Sequence, residues 1–291
     1  MKKHIMILSY LLFILLFNSC KDEVKNVSEI ETFKLPESLR EVSGMVYLDD
    51  AIWVIQDSGN SEKIHKLDLE GKLLKSIEIM SVKNHDWEAI TADNDGNLYI
   101  GDFGNNNNNR KNLAIYKISN DDLENDKINV EYTVNFSYED QEEFPPKKHF
   151  LLYDCESFVI YKDNFYLVTK NRSKGFDGTS HIYKVENKAG NQTAKLITKY
   201  VTCDSFNSCA ITDAAISPDG DKFALISNKK MWIFTNYTTD KFTDGKVKEI
   251  KFNSYTQREG VTFKDNNTLY ITDEKTKNVG GNLYKYKLET K

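Results

Sequence analysis

Proline is scarce in this 291-residue chain: Pro36, Pro145, Pro146 and Pro218 are the only four. Little therefore interrupts extended backbone, and 16 Tyr and 16 Phe set among Asp, Asn and Gly turns suit a protein built from sheets. Histidine is nearly as scarce. Beyond the N-terminal segment there are His65, His85, His149 and His181, with no pair at zinc-ligand spacing, which removes a histidine zinc centre. No G-x-S-x-G elbow and no Walker pattern occurs, so neither a serine nucleophile on a strand–helix turn nor a P-loop is encoded. No basic run is present, and the formal net charge of −5 becomes −7 without Lys2 and Lys3, so a nucleic-acid partner has no footprint. The longest apolar run, Ile5 to Phe17, has 13 residues and is too short to cross a bilayer as a helix.

What the chain does have is one segment repeated five times, an acidic turn leading into an apolar strand and then a second strand ending in a polar residue. The copies are REVSGMVYLDDAIWVIQD from Arg40, DWEAITADNDGNLYIGD from Asp86, DCESFVIYKDNFYLVTK from Asp154, TDAAISPDGDKFALISN from Thr212 and REGVTFKDNNTLYITD from Arg258. A repeat of two adjacent antiparallel strands predicts an all-β fold, a single β-propeller of five blades with six as the alternative count. Third strands recur as KIHKLDL, LAIYKIS, HIYKVEN, KMWIFTN and NLYKYKL, and fourth strands are weaker and more polar. The last repeat has only three strands, and ETFKLPESL is a lone strand before the first. A ring must close without exposed edges, so the N-terminal strand is expected to complete the last blade.

The N-terminus reads as an export signal. Lys2, Lys3 and His4 precede the apolar run, and Asn18-Ser19-Cys20 resembles the lipobox of bacterial lipoproteins, with Phe17 where such boxes prefer Leu. Lys21-Asp22-Glu23 resembles the tag of surface-exported lipoproteins. The expectation is a signal peptide over 1–19, acylation of Cys20, a polar tether over 20–31 and the propeller over 32–291, held at the outer membrane and surface-exposed. An ordinary secretory signal with a chance cysteine is the other reading. Cys203 and Cys209, in the turn-like CDSFNSC, could close a small disulfide in an oxidising compartment. Cys155 has no histidine partner in sequence, and burial is the expected fate of its thiol.

The repeat gathers Glu41, Glu88, Glu156, Asp213 and Glu259 at one mouth of a central channel, with Asp57, Asp102, Lys170, Asn228 and Asp273 at the neighbouring strand ends. Converging carboxylates repel unless a cation or donors such as Arg40 and Arg258 lie near. A hard cation with oxygen ligands suits the composition, and Ca²⁺ suits an exported protein. The other account is that each acidic residue bonds the backbone of the next blade and only registers the ring. Second strands have five residues in LYIGD and LYITD but six in IWVIQD, FYLVTK and FALISN, and one residue flips a side chain to the other face. DSGN at Asp57 to Asn60 and DFGNN at Asp102 to Asn106 are Gly/Asn turns of similar type. With Arg110 following, Asn60, Asn105, Asn106 and Arg110 suggest a pocket for a small polar, anionic or polyhydroxyl ligand. His85 beside carboxylates suits a general base, and Trp87 either stacks on a sugar or packs between blades.

DSGN, DWEAI, LYIGDFGNN with its following Arg, and the repeated acidic strand starts resemble the esterase-like-phytase and SdiA-regulated group of bacterial propellers, over about residues 38 to 290. That resemblance implies a propeller and metal-dependent hydrolysis of esters or phosphoesters. The chain is also loosely similar to calcium-dependent lactonase propellers, a likeness that implies Glu41, Asn228 and Asp273 as ligands, although five recognisable repeats stand where that group has six. The alternative is a non-catalytic surface module that binds a glycan, peptide or partner lipoprotein. A monomer is expected in either case.

Overall fold

The structure, a computed structural model, describes residues 24–290; the signal segment, Cys20 and Lys21 to Glu23 lie outside the described residues. The chain opens with a lone strand, β1 (Val24–Lys34). It then makes a first antiparallel run of β2 (Val42–Leu48), β3 (Ala51–Gln56), β4 (Lys63–Leu67) and β5 (Leu73–Ile79). A second comprises β6 (Trp87–Ala92), β7 (Leu98–Asp102) and β8 (Leu113–Ile118), then, past the two-residue β9 (Lys127–Ile128), β10 (Tyr132–Tyr138). The third is β11 (Asp154–Tyr161), β12 (Asn164–Lys170), β13 (Thr179–Glu186) and β14 (Gly190–Val201). The fourth is β15 (Ile211–Ile216), β16 (Lys222–Ser227), β17 (Lys230–Thr235) and β18 (Lys246–Lys251). The last is β19 (Arg258–Asp265), β20 (Thr268–Asp273) and β21 (Asn282–Thr290), completed by β1.

The first strand of each run packs on the first strand of the next, β2 on β6, β6 on β11, β11 on β15, β15 on β19, and β19 back on β2. That closed circuit of radial antiparallel sheets is a β-propeller. Its core is divided among the gaps between runs: Trp53, Ile64, Trp87 and Ile100 fill the first, and Phe103, Phe136, Phe158 and Tyr183 the second. Val168, Phe223, Trp232 and Phe242 fill the third, Ile233, Val261, Ile271 and Tyr286 the fourth, and Leu39, Met45, Val54, Tyr270 and Leu283 the gap that closes the circuit. Second strands are buried from both sides, which is why AIWVIQ is apolar rather than alternating. The outer strand β18, KVKEIK, is mostly exposed, and its lysines discourage pairing with another chain.

β1 pairs along its length with β21, from Val24 opposite Thr290 to Lys34 opposite Asn282. The strand begins at Val24, so residues 24–31, expected as tether, belong to the sheet. Backbone pairing asks little of side-chain chemistry, and the polar VKNVSEIETFK fits an outermost strand. Two further pairings are parallel, β10 with β14 and β5 with β9, and they tie neighbouring runs at their outer edges. Cys203 and Cys209 form a disulfide, and Cys155 is a buried free thiol. Among the described residues no helix is long and apolar enough to cross a membrane.

Candidate functional site

Each innermost strand carries an irregularity at the same place. Register slips between Val42 and Gly44, Trp87 and Ala89, Cys155 and Ser157, Ile211 and Asp213, and Arg258 and Gly260. A bulge of this kind leaves one residue unpaired and re-aims its side chain. The bulged residues are Ser43, Glu88, Glu156, Thr212 and Glu259, and four of the five line one cavity of about 190 Å³. The rest of its wall comes from the ends of the second strands, Lys170 as the last residue of β12 and Asp57 and Glu274 just beyond β3 and β20, with Asn106, Arg172 and Gln257 from adjoining loops. The residue following each bulge is small or short, Gly44, Ala89, Ser157, Asp213 and Gly260. A Cβ on Gly44 would stand 2.7 Å from Ala89 Cα, so glycine lets β2 and β6 approach.

One wall is cationic and fully paired. Lys170 Nζ lies 2.9 Å from Glu156 Oε2, Arg172 Nη2 lies 2.8 Å from Glu156 Oε1, and Arg172 Nε lies 2.5 Å from Asp154 Oδ2. Burial would raise Glu156, but Lys170 and Arg172 outweigh it and hold the carboxyl below its ordinary range. The carboxylates of the opposite wall are less well compensated, with Ser58 and the charge of Arg110 only partly offsetting the burial of Asp86. Carboxylate oxygens of Asp57, Asp86 and Glu88 all lie within 4.8 Å of one another. Glu88 is 9% exposed, and among the described residues no hydrogen bond or ion pair reaches its carboxylate. Burial, with Glu156, Asp154, Asp57 and Asp86 adding repulsion, drives its pKa well up. Burial, then Asp57, pushes Asp86 up to about 6. Glu274 is pushed up to about 7 by burial, then Asp57 and Glu41, and Glu259 to about 8 by burial, against the pull of Lys170. Gly104 makes room for this wall, since a Cβ there would collide with the carboxylates of Glu88 and Asp86.

The residues singled out from sequence divide into two groups. Asp57, Glu88, Glu156, Lys170, Glu259 and Asn106 come together at the cavity. Asp102 and Asp273 do not, because they lie opposite the residue before the bulge, Trp87 and Arg258, one position short of those that Asp57 and Lys170 occupy in their own runs. Asp102 is buried and accepts from Tyr116 Oη and Arg110 Nη2, with His85 Nδ1 at 2.9 Å; Asp273 accepts from Tyr284 Oη and Asn282. Asp213 stands one residue past its bulge. It accepts from Ser157 Oγ and from the backbone N–H of Ala214 and Val261, linking three innermost strands, while burial pushes it up to about 8. Glu41 is exposed and accepts from Asn60 Nδ2, and Asn228 faces Tyr255. Arg110 is spent within its loop on Gly104 and Asp102, and Asn105 braces Tyr153 and Arg110. Arg258 is buried over the ring of Phe252 at 4.0 Å and donates to the Asn228 and Ser254 carbonyls, away from the mouth. Trp87 is fully buried between runs. Sequence reasoning passed over Asp86, Arg172, Glu274, Gln257 and Ser43; counting positions from each bulge would have found Ser43 and Glu274.

A second, larger cavity of about 830 Å³ opens on the opposite face and shares no lining residue with the first. Hairpin turns such as Asp93–Asp95, Lys162–Asp163 and Pro218–Gly220 frame it, and it contains no comparable convergence of charge.

No protein-family model and no curated protein sequence matches the chain. Among solved structures it is similar to the PQQ-bound aldose sugar dehydrogenase of Streptomyces coelicolor, with a TM-score of 0.55 and 9% identity over 92% of this chain and 100% of that one. A chain from a nidogen/laminin complex aligns with a TM-score of 0.44 and 13% identity over 80% of this chain and 72% of that one.

Proposed function

We propose that the protein is an exported, lipid-anchored, five-bladed propeller that binds Ca²⁺ between Asp57, Asp86 and Glu88 and hydrolyses an ester or phosphoester presented to that mouth. Five bulged innermost strands in one closed circuit support the count of five. The observation that carries the cation is Glu88, a residue nine-tenths buried that lines the cavity among like charges and whose carboxylate has no hydrogen-bond or ion-pair partner among the described residues. Ca²⁺ holds its oxygens at 2.3–2.6 Å, so ligands on opposite sides of one ion stand about 5 Å apart, and the 4.8 Å envelope of this trio matches. All the donors are oxygens, which disfavours zinc or copper.

At 190 Å³ the cavity admits the reacting end of a ligand and not a whole drug-sized molecule. A bound Ca²⁺ would polarise a carbonyl or phosphoryl oxygen and acidify water. Lys170 and Arg172 offer N–H donors to a substrate group while their charge is balanced by Glu156 and Asp154, and Glu274, with its pKa raised to about 7, is suited to accept a proton. A non-catalytic glycan-binding role is favoured instead by half-exposed aromatics near the mouth, Tyr255 against Asn228 and Phe206 beneath Arg172. Metal analysis of purified protein, followed by an ester and phosphoester panel with and without Ca²⁺, separates the readings. Retained Ca²⁺ with calcium-dependent turnover supports the hydrolase; retained Ca²⁺ with no turnover and measurable glycan binding favours the module; no retained metal removes the cation site.

A further inference from the structure

From the polarity of the closing strands we infer that the anchored protein faces its membrane with the hairpin-turn face and points the acidic mouth away from the bilayer. This rests on the lipoprotein reading above and adds an orientation to it. β20 ends at the mouth, where Asp273 is followed by the cavity-lining Glu274. β21 departs from there, Asn282 opposite Asp273, and runs to Thr290 on the far face. β1 lies antiparallel beside it, so Lys34, opposite Asn282, is at the mouth end and Val24, opposite Thr290, at the far end.

Cys20 precedes Val24 by four residues. At about 3.3–3.6 Å per residue those residues span at most about 14 Å, whereas the strand from Asn282 to Thr290 covers roughly 26 Å at about 3.3 Å per residue. An acylated Cys20 therefore cannot reach around to the mouth. The turns of the far face carry exposed Asp49, Asp50, Asp95, Asp163, Asp219 and Asp265 beside exposed Lys162 and half-buried Lys264, so carboxylates outnumber amines at these turns. That balance disfavours anionic lipid, so membrane contact depends mainly on the acyl chains, and the ligand the mouth receives comes from the medium.

The test uses the full lipidated chain in vesicles carrying a nitroxide on the lipid headgroup, with a fluorophore placed at Lys287→Cys or Asn278→Cys. Both sites are exposed; Lys287 is near the far end of β21, and Asn278 is in the loop that joins β20 to β21 at the mouth end. Among the described residues the native thiols do not compete, since Cys155 is buried and Cys203 is bonded to Cys209. Lys287 lies about 17 Å of strand from Asn282, where that loop enters β21, so quenching should be at least about twofold stronger at Lys287. Equal quenching, or stronger quenching at Asn278, overturns the orientation while leaving the anchor standing. Failure of the parent chain to float with vesicles overturns the anchor and the orientation together. The Cys20→Ala protein should not float; if it binds the same vesicles, the far face has an affinity for lipid that this inference denies.

Discussion

Glu88 and Asp213 show how two acidic residues from equivalent repeats acquire opposite roles. Glu88 is buried among like charges and has no partner among the described residues. Glu88→Gln should therefore raise the melting temperature in chelator by relieving repulsion, and should abolish any rise on adding Ca²⁺; a thermal scan of both proteins with EDTA or Ca²⁺ checks both halves. Asp213 is buried but satisfied, accepting from Ser157, Ala214 and Val261. Asp213→Ala strands these donors, at about 1–3 kcal/mol for each left unpaired, and should lower stability with the Ca²⁺ response intact. The repeat made the convergence of Glu88, Glu156 and Glu259 legible in sequence, while Glu41 and Asp213 stand outside that cavity and Asp213 registers neighbouring strands. Which residue plays which part was hidden, because one position of offset from the bulge decides it, and Thr212, not Asp213, holds the bulge.

At the scale of the element, strands were easier to read than their irregularities. Apolar β-branched and aromatic runs bounded by Asp-Gly and Asn turns announce β2, β3, β7 and β20, while a bulge adds one residue with no compositional mark. The unequal lengths of LYIGD and IWVIQD were its trace, and they explain why Asp102 and Asp273 turn away while Asp57 and Lys170 face the mouth. β1 was half legible: its pairing with the last run followed from closure, but its polar first residues gave no sign of a strand. The turn Phe206–Cys209 is held by the Cys203 disulfide and places Phe206 beneath Arg172. Replacing both cysteines by serine opens a short loop and should cost about 2 kcal/mol, read by urea unfolding at pH 7.

For the whole molecule the buried carboxyls of the mouth make stability a function of pH, and the proposed calcium site would make it a function of cation as well. Burial raises Glu259 to about 8, Glu274 and Asp154 to about 7, and Asp86 to about 6, with neighbouring carboxylates adding to each. Unfolded carboxyls titrate near 4, so from about pH 4 to 8 the folded state binds more protons than the unfolded one. Stability in chelator should then be greatest at the acidic end of that window and fall as pH rises through the folded values. Saturating Ca²⁺ replaces those protons and should flatten the slope; at about 100 times Kd it adds about 2.7 kcal/mol. At about 2–4 °C per kcal/mol that is a rise of several degrees. Melting temperatures from pH 4.5 to 8.5, with and without Ca²⁺, test the sign. A flat profile in chelator would mean that the mouth carries no electrostatic load.

The pairing of β1 with β21 also governs the order in which the protein can be made. Lys285 meets Glu31 across 254 positions of sequence, so the first strand stays unmatched until almost the last residue of the chain has been made. The ring cannot seal prematurely around an unfinished chain, and loss of β21 late in synthesis would leave the same wound as loss of β1 at the start.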